Sequence, residues 1–69
     1  MRVEIPAHVR AFLQKLQQER ENKGLSKKEL QKLTGVREEI ITAYEIGTGQ
    51  PTRSKYNRIA EIFGWEAWK

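Results

Sequence analysis

The chain has 69 residues, no cysteine, and thirteen lysines and arginines against nine acidic residues, for a formal charge of +4. A chain this short has room for one domain with a single core, and without thiols that core must hold by apolar packing, with no disulfide or thiolate metal site. No apolar run reaches the length of a membrane span, and the start, which mixes Arg2 and Glu4 with Val3 and Ile5, is unlike a signal peptide. These features suit a reducing cytoplasm, and the basic balance suits a polyanionic partner.

Pro6 fits the first turn of a helix, where its missing N–H is no loss, and Val9, Phe12, Leu13 and Leu16 then recur at helical spacing. The pattern predicts a first helix over about 6–23, with Arg20 and Lys23 in the last turn, where cations suit the dipole, and Gly24 as its stop. Leu25 should fold back onto the core. Ser26 stands where a helix needs an N-cap, and Glu29, three residues on, completes a capping box. A second helix is therefore expected over 27–34, with Leu30 and Leu33 as its apolar stripe. Gly35 supplies the freedom for a sharp change of direction.

The third predicted helix, 37–46, turns Ile41 and Tyr44 inward at a spacing of three and leaves Arg37, Glu38, Thr42 and Ala43 outward. Gly47, Gly49 and Pro51 then form a loop, and Thr52 caps a fourth helix over 52–63 with Tyr56, Ile59, Ala60 and Phe63 on one face. Gly64 ends it. The tail Trp65-Glu66-Ala67-Trp68-Lys69 offers only a stub of a fifth helix, too short to be stable alone. Trp65 is expected to close the core, whereas Trp68 is hard to bury in so small a domain and is a candidate for an interface. The expected architecture is all-α, four helices plus the stub in one domain over 1–69, with a helix-turn-helix at about 26–46 that points to DNA.

Catalytic chemistry has little to work with. The chain has no aspartate, no cysteine and one histidine, His8, which lacks partners for a ligand set or a proton relay. No catalytic residue, metal site or cofactor is expected, so the chain does not read as an enzyme. Tyr44 and Tyr56 fall on inward faces as core residues.

Arg20-Glu21-Asn22-Lys23-Gly24-Leu25, the turn from Ser26 to Val36, the run Ile41-Thr42-Ala43-Tyr44-Glu45-Ile46-Gly47, Pro51 and Ile59-Ala60-Glu61-Ile62-Phe63-Gly64 occur in this order. Together they resemble the Cro and phage-repressor-like helix-turn-helix family, also called the XRE family, over roughly residues 10–65. The resemblance implies a lambda-repressor-like DNA-binding domain whose third helix enters the major groove. By position it implies a base-facing set of Arg37, Glu38, Glu39, Thr42 and Ala43, phosphate contacts at Ser26 and Lys27, and a structural ion pair between Arg20 and Glu45. Lys28, beside the N-cap, and Arg53, at the start of the fourth helix, join the phosphate set on their own placement. A transcriptional regulator of this kind, repressor-like, binds double-stranded DNA as a symmetric homodimer on half-sites about one helical turn apart. It would be cytoplasmic, and nucleoid-associated in a bacterium or phage. Family members often carry a longer dimerisation segment after the position of Lys69.

Three positions depart from that pattern. The family usually has a small residue where this chain has Gln31, an aliphatic one at Thr34, and commonly asparagine at Ile46, which removes one hydrogen bond to phosphate. Over 37–46 the chain has one cation against three anions, and Glu38 and Glu39 meet phosphate repulsion unless they accept hydrogen bonds, as from cytosine N4. Lys27, Lys28, Lys32, Arg53, Lys55 and Arg58 must then supply the positive field around the reading helix. The alternative is a protein-interaction module of coactivator or antitoxin type with the same fold. The segment Ile41-Thr42-Ala43-Tyr44-Glu45 and the loop Gly-x-Gly-x-Pro also resemble the multiprotein bridging factor branch, and Ile40 with Ile46 could form an apolar patch.

Overall fold

Each helix of the computed structural model, which describes residues 5–69, starts and stops at residues whose chemistry sets the boundary. The order is α1 (Ala7–Asn22), α2 (Lys27–Thr34), α3 (Glu38–Ile46) and α4 (Arg53–Phe63), with no strand among the described residues. The Pro6 carbonyl accepts the Val9 and Arg10 N–H groups and so opens α1. Its other end closes through Gly24 N–H to the Glu21 carbonyl and Leu25 N–H to the Arg20 carbonyl, the paired bonds that satisfy late helical carbonyls. Ser26 and Glu29 cap α2 reciprocally, Glu29 N–H to Ser26 Oγ at 3.1 Å and Ser26 N–H to Glu29 Oε1 at 2.8 Å. Thr52 Oγ1 accepts the Lys55 N–H at the start of α4.

One face of each helix supplies the core. Val9, Phe12 and Leu16 of α1, Leu30 of α2, Ile41 and Tyr44 of α3, and Tyr56, Ile59 and Ala60 of α4 are buried together with Val36. Phe12 stands edge-on to both Tyr44 and Tyr56, with ring centroids 5.5 and 5.1 Å apart, an arrangement that suits the ring quadrupoles. Burial pushes the Tyr44 hydroxyl pKa up, against a smaller lowering by the Thr52 backbone. Gly49 lies so close to this cluster that a Cβ there would stand 2.8 Å from the Tyr44 ring. No described helix is long and apolar enough to cross a membrane. The reading of the start of the chain from Arg2, Val3 and Glu4 falls outside the described residues.

Three expectations are corrected. Leu33 does not share the inward stripe of α2: it is 55% exposed while Leu30 is buried. The inward face runs through Leu30 and Thr34, and at 3.6 residues per turn Leu33 lies about 100° around the helix from Thr34. Thr34 takes that place by a polar route, its hydroxyl donating to the Leu30 carbonyl and accepting the Val36 N–H.

The tail forms no fifth helix, and Trp68 is 6% exposed within the same molecule. Side chains of α4 capture its backbone instead. Asn57 donates Nδ2 to the Trp68 carbonyl at 3.0 Å and accepts the Trp68 N–H at 2.7 Å, and the Tyr56 hydroxyl donates to the Glu66 carbonyl at 2.6 Å. Burial, with the nearby Glu66 charge, raises the Tyr56 pKa and keeps that donor protonated. Trp65 is half-buried, stacked on Phe63 with centroids 4.7 Å apart.

Candidate functional site

The chemistry-bearing surface is built on α2, the turn after it, and α3. Glycine at position 35 takes φ +75°, and its N–H donates to the Gln31 carbonyl at 2.7 Å, which ends α2 and redirects the chain. Val36 is buried, Arg37 is extended at φ −62°, ψ 146°, and the Arg37 carbonyl accepts the Ile40 and Ile41 N–H groups as α3 begins. Ile41 and Tyr44 anchor the inner face. The opposite face carries Arg37 and Glu39, both exposed, with Glu38, Thr42 and Ala43 half-buried. Among the described residues neither Arg37, Glu38 nor Glu39 enters a salt bridge. Both carboxylates sit in the first turn of α3, where the dipole favours them. Thr42 is partly committed, since its hydroxyl donates to the Glu38 carbonyl at 3.0 Å and leaves only lone pairs and a methyl for a partner.

The far end of α3 is tied down by charge. Arg20 Nε meets Glu45 Oε2 at 2.8 Å, and Arg20 Nη2 reaches Glu45 Oε1 at 3.4 Å. The two side chains are only 9% and 3% exposed. Arg20 Nη1 also donates to the Leu25 carbonyl at 2.7 Å, so one guanidinium joins the end of α1, the turn into α2 and the end of α3.

Cations flank this outer face of α3. Lys28 and Lys32 are exposed on α2 and Lys27 is half-buried. Ser26 is exposed, and because its oxygen serves as acceptor in the cap, its O–H remains free to donate to an anion. The same cap holds the Glu29 carboxyl below the usual carboxylate range, first through the Ser26 backbone, then through the Ser26 side chain, with a smaller contribution from Lys32. Arg53 is exposed at the start of α4, its guanidinium 5.7 Å from the centre of the Trp68 ring. Arg58 lies against the turn, since a Cβ added to Gly35 would come 3.2 Å from its Nη1.

Sequence reasoning missed what three side chains contact, although it named Gln31 as a departure and Arg58 as part of the positive field. Gln31 accepts the Glu38 N–H through Oε1 at 2.8 Å; the available signal was Arg37, a residue type that makes a poor N-cap and so calls for a substitute. Asn57, which holds the tail, could have been suspected as a poor helix former in a helix interior. The place of Arg58 beside Gly35 leaves no spacing to read in the sequence. His8 serves the tail, its Nε2 being 3.2 Å from the Ala67 carbonyl oxygen. Among the described residues no group of three His, Cys, Asp or Glu could hold a metal ion.

An apolar element borders this surface. Ile46 is 68% exposed and, with Leu13, Arg10, Gln14, Glu45 and Gly47, lines a groove between α1 and the end of α3.

In comparison with known proteins, a family model described as helix-turn-helix matches residues 16–66. No curated protein and no solved structure matches the chain.

Proposed function

Because this chain belongs to the helix-turn-helix family, the XRE type of DNA-binding regulators, we propose that it is a sequence-specific transcriptional regulator, repressor-like, that lays α3 in the major groove of double-stranded DNA. It binds as a symmetric dimer, one α3 per half-site, and works in the cytoplasm, on the nucleoid where there is one. The observation that carries this reading is the open outer face of α3, with Arg37 and Glu39 exposed on a helix whose inner face is buried through Ile41 and Tyr44. Arg37 suits a bidentate contact with guanine, and Glu38 and Glu39 accept from cytosine N4. Ala43 and the Thr42 methyl meet thymine methyls. Ser26, Lys27, Lys28 and Arg53 hold phosphates and set the register without reading sequence. Selection from random duplexes tests the proposal. Enrichment of a paired site supports it, and featureless, salt-sensitive binding with no enriched site overturns it.

A second reading has its own observation, the 68% exposure of Ile46 beside Leu13 at the edge of an acidic α3 face. That surface suits a protein partner of the coactivator or antitoxin kind. Ile46→Ser separates the two without adding charge: a protein interaction is lost with it, whereas base selection survives.

A further inference from the structure

We infer that Gln31 is a positioning residue for α3, replacing the N-cap that Arg37 fails to provide and so fixing how Arg37, Glu38 and Glu39 are presented; the consequence for sequence preference rests on the DNA reading above. Every α-helix begins with N–H groups that have no partner inside it. In α2 and α4 the residue before the helix meets this need, Ser26 and Thr52 respectively. Arg37 makes no such side-chain bond. Ser26 and Thr52 accept the third N–H of their helices, those of Glu29 and Lys55. In α3 it is the first N–H, at Glu38, that is met from the neighbouring helix, by Gln31 Oε1 at 2.8 Å. An N–H can only donate, so the carbonyl side of the Gln31 amide must face it, which fixes the orientation of that side chain.

The backbone of Gln31 has a second task at the same place. Its carbonyl accepts the Gly35 N–H at 2.7 Å. One residue therefore accepts from both sides of the turn, from the glycine that ends α2 and from the glutamate that opens α3. Thr34 supplies a parallel brace, donating to the Leu30 carbonyl and accepting the Val36 N–H. Gln31 and Thr34 are the two α2 residues that depart from the family pattern, and the turn binds both departures into one hydrogen-bonded clamp. Arg37 then sits between two fixed points, the buried Val36 and the capped Glu38.

Such a bond near solvent contributes little to global stability, so its loss should leave the fold and loosen the first turn of α3. Side chains reaching for base edges tolerate only small displacements. Loosening therefore degrades discrimination between sequences more than attachment to phosphates.

The test uses the whole chain with Gln31→Ala and Gln31→Glu. Amide hydrogen exchange is read at Glu38, and binding is read on a selected duplex and on a scrambled one. In Gln31→Ala, exchange at Glu38 should quicken about tenfold, the fold-change of one lost hydrogen bond, while the Leu30 and Ile41 amides stay slow. The preference for the selected duplex over the scrambled one should fall by about the same factor. Gln31→Glu keeps the acceptor, so exchange at Glu38 stays slow. Its added charge weakens both duplexes alike, and the preference remains near that of the wild type. A selective wild type whose Gln31→Ala variant keeps full preference overturns the positioning role and leaves the DNA reading standing. A wild type with no preferred duplex overturns the DNA reading, and unchanged exchange at Glu38 overturns the cap whatever the DNA result. Should Gln31→Ala fail to fold, loss of preference in Gln31→Glu overturns the proposal by itself.

Discussion

Arg20 uses all three guanidinium nitrogens inside the molecule, on Glu45 twice and on the Leu25 carbonyl once. Removing Glu45 leaves a buried guanidinium with only the Leu25 carbonyl and the exposed Glu21 carboxylate, 3.9 Å away, and breaking so buried a pair costs about 3–5 kcal/mol. Small domains have a total margin of roughly that size, so Glu45→Ala should be largely unfolded in urea titrations and circular dichroism. Arg20→Met combined with Glu45→Leu should recover most of the loss, because it removes both desolvation penalties. A mild effect of Glu45→Ala would show the pair to be open to solvent. Glu29 makes a second prediction at this scale. Its carboxyl is held below the ordinary range when folded, so its contribution to stability is full above the ordinary carboxylate pKa and is lost as pH falls through the folded value. Ser26→Ala should move the Glu29 titration, followed by NMR, back up toward the usual range; a titration that does not move removes the cap from the account. The Ser26 and Glu29 box was legible because both partners lie three residues apart in sequence. The Gln31 bond to Glu38 was not, since a side chain reaching a backbone N–H on the next helix leaves no spacing to read.

At the scale of elements, the proposed function divides two jobs between helices. The positive field comes from α2 and α4, while α3 carries one cation at its start and two carboxylates in its first turn. Neutralising a phosphate contact lowers the dependence of binding on salt by about one unit of slope, with little regard to sequence. Lys27→Ala should therefore weaken every duplex alike and flatten the salt dependence by about one unit. Arg37→Ala should instead narrow the gap between selected and scrambled duplexes by about 1–3 kcal/mol. Binding isotherms at several salt concentrations distinguish the two, and identical behaviour of the variants removes the division of labour. The course of α3 was legible because Ile41, Tyr44 and the glycines on either side bracket it. The inward face of α2 was misread at Leu33, because hydropathy favours leucine over threonine and cannot show that the Thr34 hydroxyl is satisfied by its own turn.

For the whole molecule, the tail decides how the two ends of the described chain are joined. Trp68 packs edge-on to Tyr56, with centroids 6.5 Å apart, under the Arg53 guanidinium, while His8 of α1 meets the Ala67 carbonyl. This strap links the start of α1 to α4. Sequence alone made Trp68 a candidate for an interface, on the argument that a small domain cannot bury an indole near its end. What it could not show was Asn57, whose amide gives the Trp68 backbone the two partners it would otherwise seek in water. Trp68→Ala removes a buried aromatic and should cost roughly 3–5 kcal/mol. Asn57→Ala should cost less, about 1–3 kcal/mol, by leaving those backbone groups unsatisfied. Both losses should be independent of protein concentration, because the contacts lie within one molecule, whereas stability held at a dimer interface rises with concentration. Urea midpoints at two protein concentrations a hundredfold apart make the comparison. A Trp68→Ala deficit that grows with concentration would return this residue to an interface and detach the tail from the core.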